Sequence, residues 1–246
     1  IEPTHKVAQL MSLKSRWRSH QHAWRNRWIN DLDLPGARRK AWLDMNLVDH
    51  GIIRRFWRNR ATLDRGVYRS NQPSPRLLRM LAQEGVRTIV NLRGANGFGT
   101  YALERETCAA VGIDLINFRL GSRRLPTIEE IEGLKEVFET SKRPLLIHCK
   151  SGADRAGMAS ALYVLAVMGG TAEEAQAHLS PRFLHFKKAQ TGILDQFVQA
   201  YGAFNAHTPT PFMEWVHNHY DPEAIKAGFV PKGWADVVVD GLLRRE

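Results

Sequence analysis

The stretch from Leu145 to Met168 constrains this chain more than any other. Leu145-Leu146-Ile147 is a short apolar run after Pro144, as an interior strand requires. His148-Cys149-Lys150-Ser151-Gly152-Ala153-Asp154-Arg155-Ala156-Gly157 follows. Gly152 allows a bend that other residues resist. From Arg155 the chain turns apolar with helical spacing, through Met158, Leu162, Leu165, Val167 and Met168, until Gly169-Gly170 stops it. A strand, a tight turn and a helix in that order specify an α/β unit. Helical and strand patterns alternate along much of the chain, so the fold expected is a mainly parallel sheet with helices on both sides.

A turn that feeds a helix N-terminus aims backbone N–H groups at one point, and the helix dipole makes that point an anion site. Cys149 enters the turn and Arg155 leaves it, with five residues between them. The field that attracts an oxyanion also favours a thiolate. Arg suits phosphate because its planar donors reach two oxygens at once. A thiolate under a bound phosphate is a nucleophile aimed at phosphorus. On this reading Cys149 attacks and Arg155 clamps the phosphoryl group. The backbone of Lys150, Ser151, Gly152, Ala153, Ala156 and Gly157 forms the cradle. His148 orients the loop from behind Cys149.

His-Cys-Lys-x-Gly-x-x-Arg-x-Gly, set between an apolar strand and an apolar helix, resembles the cysteine-dependent protein tyrosine phosphatase superfamily, in particular its bacterial dual-specificity-like members. Tyr68-Arg69-Ser70-Asn71-Gln72-Pro73 is similar to an entry segment of bacterial and fungal relatives. The resemblance covers roughly residues 65 to 205 and implies a tyrosine/dual-specificity phosphatase fold and a phosphocysteine intermediate, with no cofactor and no metal. Two positions depart from the pattern. Ala156 stands where the family usually has Ser or Thr to help the thiolate leave, which implies a slower second step or another donor such as Ser151. Phe118 to Pro126, where relatives usually carry an acidic residue, has no carboxylate. Asp154, inside the loop, resembles the Asp-Arg pair of some inositide phosphatases and is within reach of a leaving oxygen as general acid. Equally, it pairs with Arg155 or sits on the helix dipole. Asp114 is the second choice. Arg93 either helps to bind substrate or pairs on the surface.

Length and charge divide the rest of the chain. Of 246 residues, positions 1 to 65 hold fourteen Lys/Arg against six Asp/Glu, +8 of the total +10, and five of the seven Trp. This marks residues 1–65 as a basic, Trp-rich helical extension, 66–205 as the phosphatase domain, and 206–246 as a C-terminal extension packing on it. Leu10, Leu13, Trp17, Trp24 and Trp28 share one helical face flanked by Arg. That face either meets an anionic membrane surface, with residues 1–60 as the device, or docks on the catalytic domain. Arg54 to Arg60 is a second basic-aromatic patch, but no nucleic-acid motif accompanies it. Arg182, His185, Lys187 and Lys188 form a basic cluster near the expected pocket. No run reaches the roughly 18 apolar residues of a membrane span. With only Cys108 and Cys149 there is no disulfide scaffold, and a working thiolate suits the reducing cytoplasm, with attachment to the inner face of the membrane as an option. Cys108 reads as buried filler. His217, His219 and Asp221 are too few for a metal site.

The function expected is phosphate monoester hydrolysis on a membrane lipid or glycolipid phosphate, on account of the basic Trp-rich extension and the Asp-Arg pair. A phosphorylated protein is the alternative, and an inactive phosphate-binding adaptor the second.

Overall fold

The computed structural model describes residues 20–229. Its centre is a five-stranded sheet in the order β1-β2-β5-β3-β4. The strands are β1 Ala61–Asp64, β2 Val67–Asn71, β3 Thr88–Asn91, β4 Asp114–Asn117 and β5 Leu145–Cys149. β1 runs antiparallel to β2, and all other neighbours are parallel. Parallel strands need crossovers, and the capping residues supply their helices. Ser74 caps α4 (Pro75–Gln83), with Pro75 in its first turn. Thr127 and Thr171 close reciprocal capping boxes on α6 (Ile128–Thr140) and α8 (Ala172–Gln176).

Alternation along β5 and β3 sorts the core into two layers. Leu146 and Ile89 face Leu77, Leu78 and Leu81 of α4 and Cys108 of α5 (Gly99–Val111). Leu145, Ile147 and Val90 face α6, α7 (Asp154–Tyr163) and α9 (Ile193–His207). The apolar run from Met158 to Met168 is α7 plus a π-turn over Val164–Met168, ended at left-handed Gly169. Among the described residues no helix is long and apolar enough to cross a membrane.

The N-terminal segment packs against the sheet unit rather than trailing from it. Helical residues 20–26 (α1) lead to α2 (Ala37–Leu43), a π-turn over Asp44–Val48, and α3 (Gly51–Arg54). Trp28, Ile29, Ala37, Ala41 and Met45 pack on Ala102 and Leu103 of α5. Gly99 makes this approach possible, since a Cβ there would lie 2.4 Å from the Ala41 carbonyl oxygen. Trp28 therefore takes the docking option, while Leu10, Leu13 and Trp17 lie outside the described residues. Arg65 falls in the turn between β1 and β2, so the sheet begins before the expected boundary. On the C-terminal side, α10 (Phe212–Asn218) and α11 (Pro222–Ala227) follow. Phe212, Trp215 and Tyr220 meet Phe197 and Tyr201 of α9 edge to face in the main core. Residues 230–246 of the expected C-terminal extension lie outside the described residues.

Candidate active site

Register decides which residues can meet. β2, β3, β4 and β5 are parallel, with Asn71 level with Cys149, Asn91 level with His148, and Asn117 level with Asn91. The loops after these strands therefore share one edge of the sheet with Cys149, the edge where open α/β sheets bind ligands. Asp114 opens β4, level with Thr88 and so with Leu145. Three to four residues of strand, ~11–13 Å, separate its level from that of Cys149. Its carboxylate pairs at 3.0 Å with Lys142. The structure thus removes Asp114 as an acid.

The loop from Lys150 to Ala153 is shaped by its carbonyls. The Lys150 oxygen accepts from Gln72 N–H at 3.3 Å. The Ser151 oxygen accepts from Asn59 Nδ2 at 2.8 Å. The oxygens of Gly152 and Ala153 accept from Arg69 Nη2 at 2.5 and 3.3 Å. All these donors lie outside the loop. Because peptide groups are planar, holding the carbonyls on one side turns the following N–H groups to the other, which builds an anion nest. Gly152 adopts φ +74°, and a Cβ there would stand 2.7 Å from the Asn71 nitrogen. Ser151 Oγ accepts from Ala153 N–H at 3.3 Å, so the hydroxyl suggested as an alternative donor is turned into its own loop.

Arg69 is fully buried on β2. It also donates to the His178 carbonyl at 2.9 Å and lies over the Phe183 ring at 3.9 Å. Burial pulls its guanidinium down to about 10. Sequence reasoning noted Arg69 only within an entry segment. Its role depends on three carbonyls more than eighty residues away, which no local signal reports.

The other expected site residues separate into two groups. Cys149 ends β5, buried, and Arg155 is partly exposed in the first turn of α7. Arg155 opens onto a cleft of about 610 Å³, together with Arg93, Arg119, Arg124, Ser122 and Glu130. Ala156 and Gly157, expected in the cradle, instead pack behind it. Ala156 is fully buried in the core. Gly157 gives its N–H to Ala153, and a Cβ there would meet the His178 carbonyl at 2.8 Å. His148 is buried with Nε2 2.9 Å from Glu104 Oε1, out of line for a hydrogen bond.

Asp154 is buried, and its Oδ1 lies 2.7 Å from His185 Nδ1. His185 Nε2 lies 2.6 Å from Asp195 Oδ2. Burial opposes charge on this ring, but hydrogen bonds and charge from both aspartates outweigh it and raise its titration. His185 is held between Asp154 and Asp195 by both ring nitrogens, so this geometry favours the structural option for Asp154 over the acid. His185, expected in a basic pocket-lining cluster, is instead fully buried between the two acids.

Arg93 is neither a surface ion pair nor a free substrate ligand. Its Nη1 and Nη2 donate to Asp49 Oδ2 and Oδ1 at 2.8 and 2.9 Å, and Nη1 also reaches Gln72 Oε1 at 2.9 Å. Asp49 further accepts from Thr100 Oγ1 at 2.6 Å and pairs with Arg54 at 3.2 Å and Lys150 Nζ at 3.4 Å. Burial alone would raise Asp49, but these cations hold it well below the usual carboxylate range. The side chain of Lys150 is thus drawn to the N-terminal segment, leaving only its backbone for the loop. Among the described residues no cluster of His, Cys, Asp and Glu could hold a metal. His217 meets Glu132 at 2.9 Å.

Comparison with known proteins places these features in context. A family model described as a DSP-PTPase phosphatase fused to NAD+ kinase matches residues 57–193, more than half of the chain. The chain is 27% identical over 165 residues to inositol diphosphatase DSP4 of Arabidopsis thaliana, covering 63% of this chain and 77% of that protein. The crystal structure of P. aeruginosa TpbA matches with 19% identity and TM-score 0.48, over 61% of this chain and 91% of that one. The catalytic domain of the S. cerevisiae PP-IP phosphatase SIW14 matches with 17% identity and TM-score 0.45, over 63% and 98%.

Proposed function

Since the chain belongs to the family of DSP-PTPase phosphatases described as fused to NAD+ kinase, and is a cysteine-dependent phosphatase, we propose that it removes phosphate from a small, densely phosphorylated substrate, with an inositol pyrophosphate as the leading class. One observation carries this. The cleft beside Arg155 is also lined by Arg119 and Arg124, with Arg93 held by Asp49 at its wall, and its one lining carboxylate, Glu130, is already bonded to Arg124. Such a surface suits several phosphate groups at once.

The same arrangement bears on the leaving group. An alkoxide needs a proton as it departs, whereas a phosphate leaving group, with a second pKa of about 6, carries its charge without one. The lining carboxylate is held by Arg124, and Asp154 is held by His185. A phosphoanhydride is the bond such a site is suited to break. In the first step the Cys149 Sγ–P bond forms and the bridging O–P bond breaks. The loop N–H groups and Arg155 stabilise the equatorial oxygens. In the second step water attacks phosphorus, the S–P bond breaks, and orthophosphate and a proton are released. His148 supports the loop from behind. The name of the Arabidopsis relative agrees with this substrate class.

A second reading, a membrane lipid or glycolipid phosphate, is favoured by the exposed apolar and cationic residues of 38–60. The test is phosphate release by wild type and Cys149→Ser from inositol pyrophosphates, inositol hexakisphosphate, inositol lipids and phosphatidylglycerophosphate in detergent, and phosphotyrosine peptides. Preference for the pyrophosphate's anhydride supports the first reading. Preference for the lipids supports the second, and fast peptide turnover replaces both with a protein substrate. Oxyanion binding without any turnover leaves a phosphate reader.

A further inference from the structure

Residues 38–60 are inside out by the standard of a water-exposed segment. Their only carboxylates, Asp44 and Asp49, are buried, as are Asn46 and Arg54. Their large apolar side chains are exposed: Trp42, Leu43, Leu47 (62%), Ile52, Ile53 and Phe56 (84%). Six Lys or Arg side chains in the same stretch are exposed as well; Arg38 pairs with Asp33 and Glu106 and Arg60 with Glu84, from neighbouring segments, and the stretch itself has no exposed acid. Isolated exposed apolar residues are ordinary, but a cluster of them beside buried charges marks an interaction surface.

We propose that residues 38–60 form a rigid docking face for an anionic lipid surface, with the apolar side chains entering the headgroup boundary and the cations meeting lipid phosphates. Charge complementarity selects this occupant, because every exposed charge that the stretch itself contributes is positive and four of its six exposed cations have no acidic partner among the described residues. Arg39, Lys40 and Arg58 have no side-chain hydrogen bond or ion pair among the described residues, so their charge is available to a partner. Bulky apolar groups among cations, on short helical segments, meet the needs of an interfacial element. The buried polar residues give the face its rigidity. Asp44 ties it to α1 and α5 through Arg25 at 2.8 Å and Gly99 N–H at 2.7 Å. Asp49 ties it to Arg93 and Lys150 and hence to the rim of the cleft. Docking therefore sets the active-site cleft close to the headgroups. This deepens the lipid reading but stands equally for a soluble substrate, because binding is read without turnover.

The experiment is flotation of the full chain with vesicles of phosphatidylcholine alone and of phosphatidylcholine with phosphatidylglycerol, at low and raised salt. Wild type should float with the anionic vesicles, weakly with the neutral ones, and less as salt rises. The triple variant Ile52→Ser, Ile53→Ser, Phe56→Ser should bind about tenfold or more weakly, with thermal stability and turnover of a soluble aryl phosphate unchanged. Wild-type binding equal to that of the triple variant overturns the proposal. So does wild type that ignores anionic vesicles. A wild-type dimer that the triple variant makes monomeric, with neither form binding vesicles, assigns the face to self-association and also overturns it.

Discussion

Replacing Arg69 with Met should separate activity from stability. Arg69 donates to three carbonyls, and the Ala153 oxygen keeps a second donor in Gly157 N–H. The oxygens of Gly152 and His178 would lose theirs. At about 1–3 kcal/mol for each buried group left unpaired, the loss is roughly 2–6 kcal/mol. Removing the buried guanidinium also removes its solvation penalty. Its titration near 10 corresponds to roughly 3 kcal/mol. The net cost in stability is then at most about 3 kcal/mol, within what a folded domain tolerates. Activity has no such compensation. Once the Gly152 carbonyl is released, its peptide is free to turn, and the loop no longer holds its N–H groups around the phosphate. Loss of one oxyanion donor costs on the order of 10²–10³ in rate, so kcat/KM should fall by about 10² or more. The assay is aryl phosphate hydrolysis together with thermal unfolding with and without tungstate. Arg69→Met should stay folded and lose both turnover and the tungstate-induced rise in Tm. A folded variant with kcat/KM within about threefold of wild type would refute the carbonyl-holding argument.

Three further outcomes follow from the same geometry. Asp49→Ala removes the carboxylate that neutralises the buried guanidinium of Arg93 and should cost about 3–5 kcal/mol by denaturant unfolding; a loss below ~1 kcal/mol would mean another group takes over that charge. Gly152→Ala puts a Cβ 2.7 Å from the Asn71 nitrogen at φ +74°, so phosphatase activity should vanish with about 1–3 kcal/mol or more of destabilisation. His185 titrates above its ordinary 6.5 when folded, so its contribution is complete below that pH and is lost as pH rises through the higher folded value. Chemical unfolding of wild type and His185→Ala across pH should show the stability gap widest in mild acid and narrowing at alkaline pH; a gap that widens with pH would mean the ring is neutral in the fold.

The local elements were legible because their signals are local. Capping boxes at Thr127 and Thr171, Pro75 after Ser74, and the apolar run into Cys149 are each written within a few residues, and each appears in the fold. The loop around Cys149 was legible as a strand–turn–helix for the same reason. Readings that relied on spatial position fared differently. Asp114 lies at the wrong end of its strand, a fact of register. His185 lay in a run of cations, yet its partners are acids 31 residues before it and 10 after it. Gly157 looked like part of a phosphate cradle but is a packing glycine, and only the approach of His178 shows it.

By itself, then, the order of residues from Leu145 to Gly157 determined that this chain has an anion-binding turn with a thiol at its entry and a guanidinium at its exit. Those groups share one strand–turn–helix, and the backbone between them leaves little freedom. Only the tertiary structure decided how that turn is held and what it opens onto. Arg69, Asn59 and Gln72 turn its carbonyls outward, His185 takes up Asp154, and Asp49 draws Arg93 and Lys150 toward the N-terminal segment. The physical reason is that buried polar groups must find partners wherever the fold brings them. Those partners come from distant stretches of chain, set side by side by a parallel sheet whose register is a property of the whole fold.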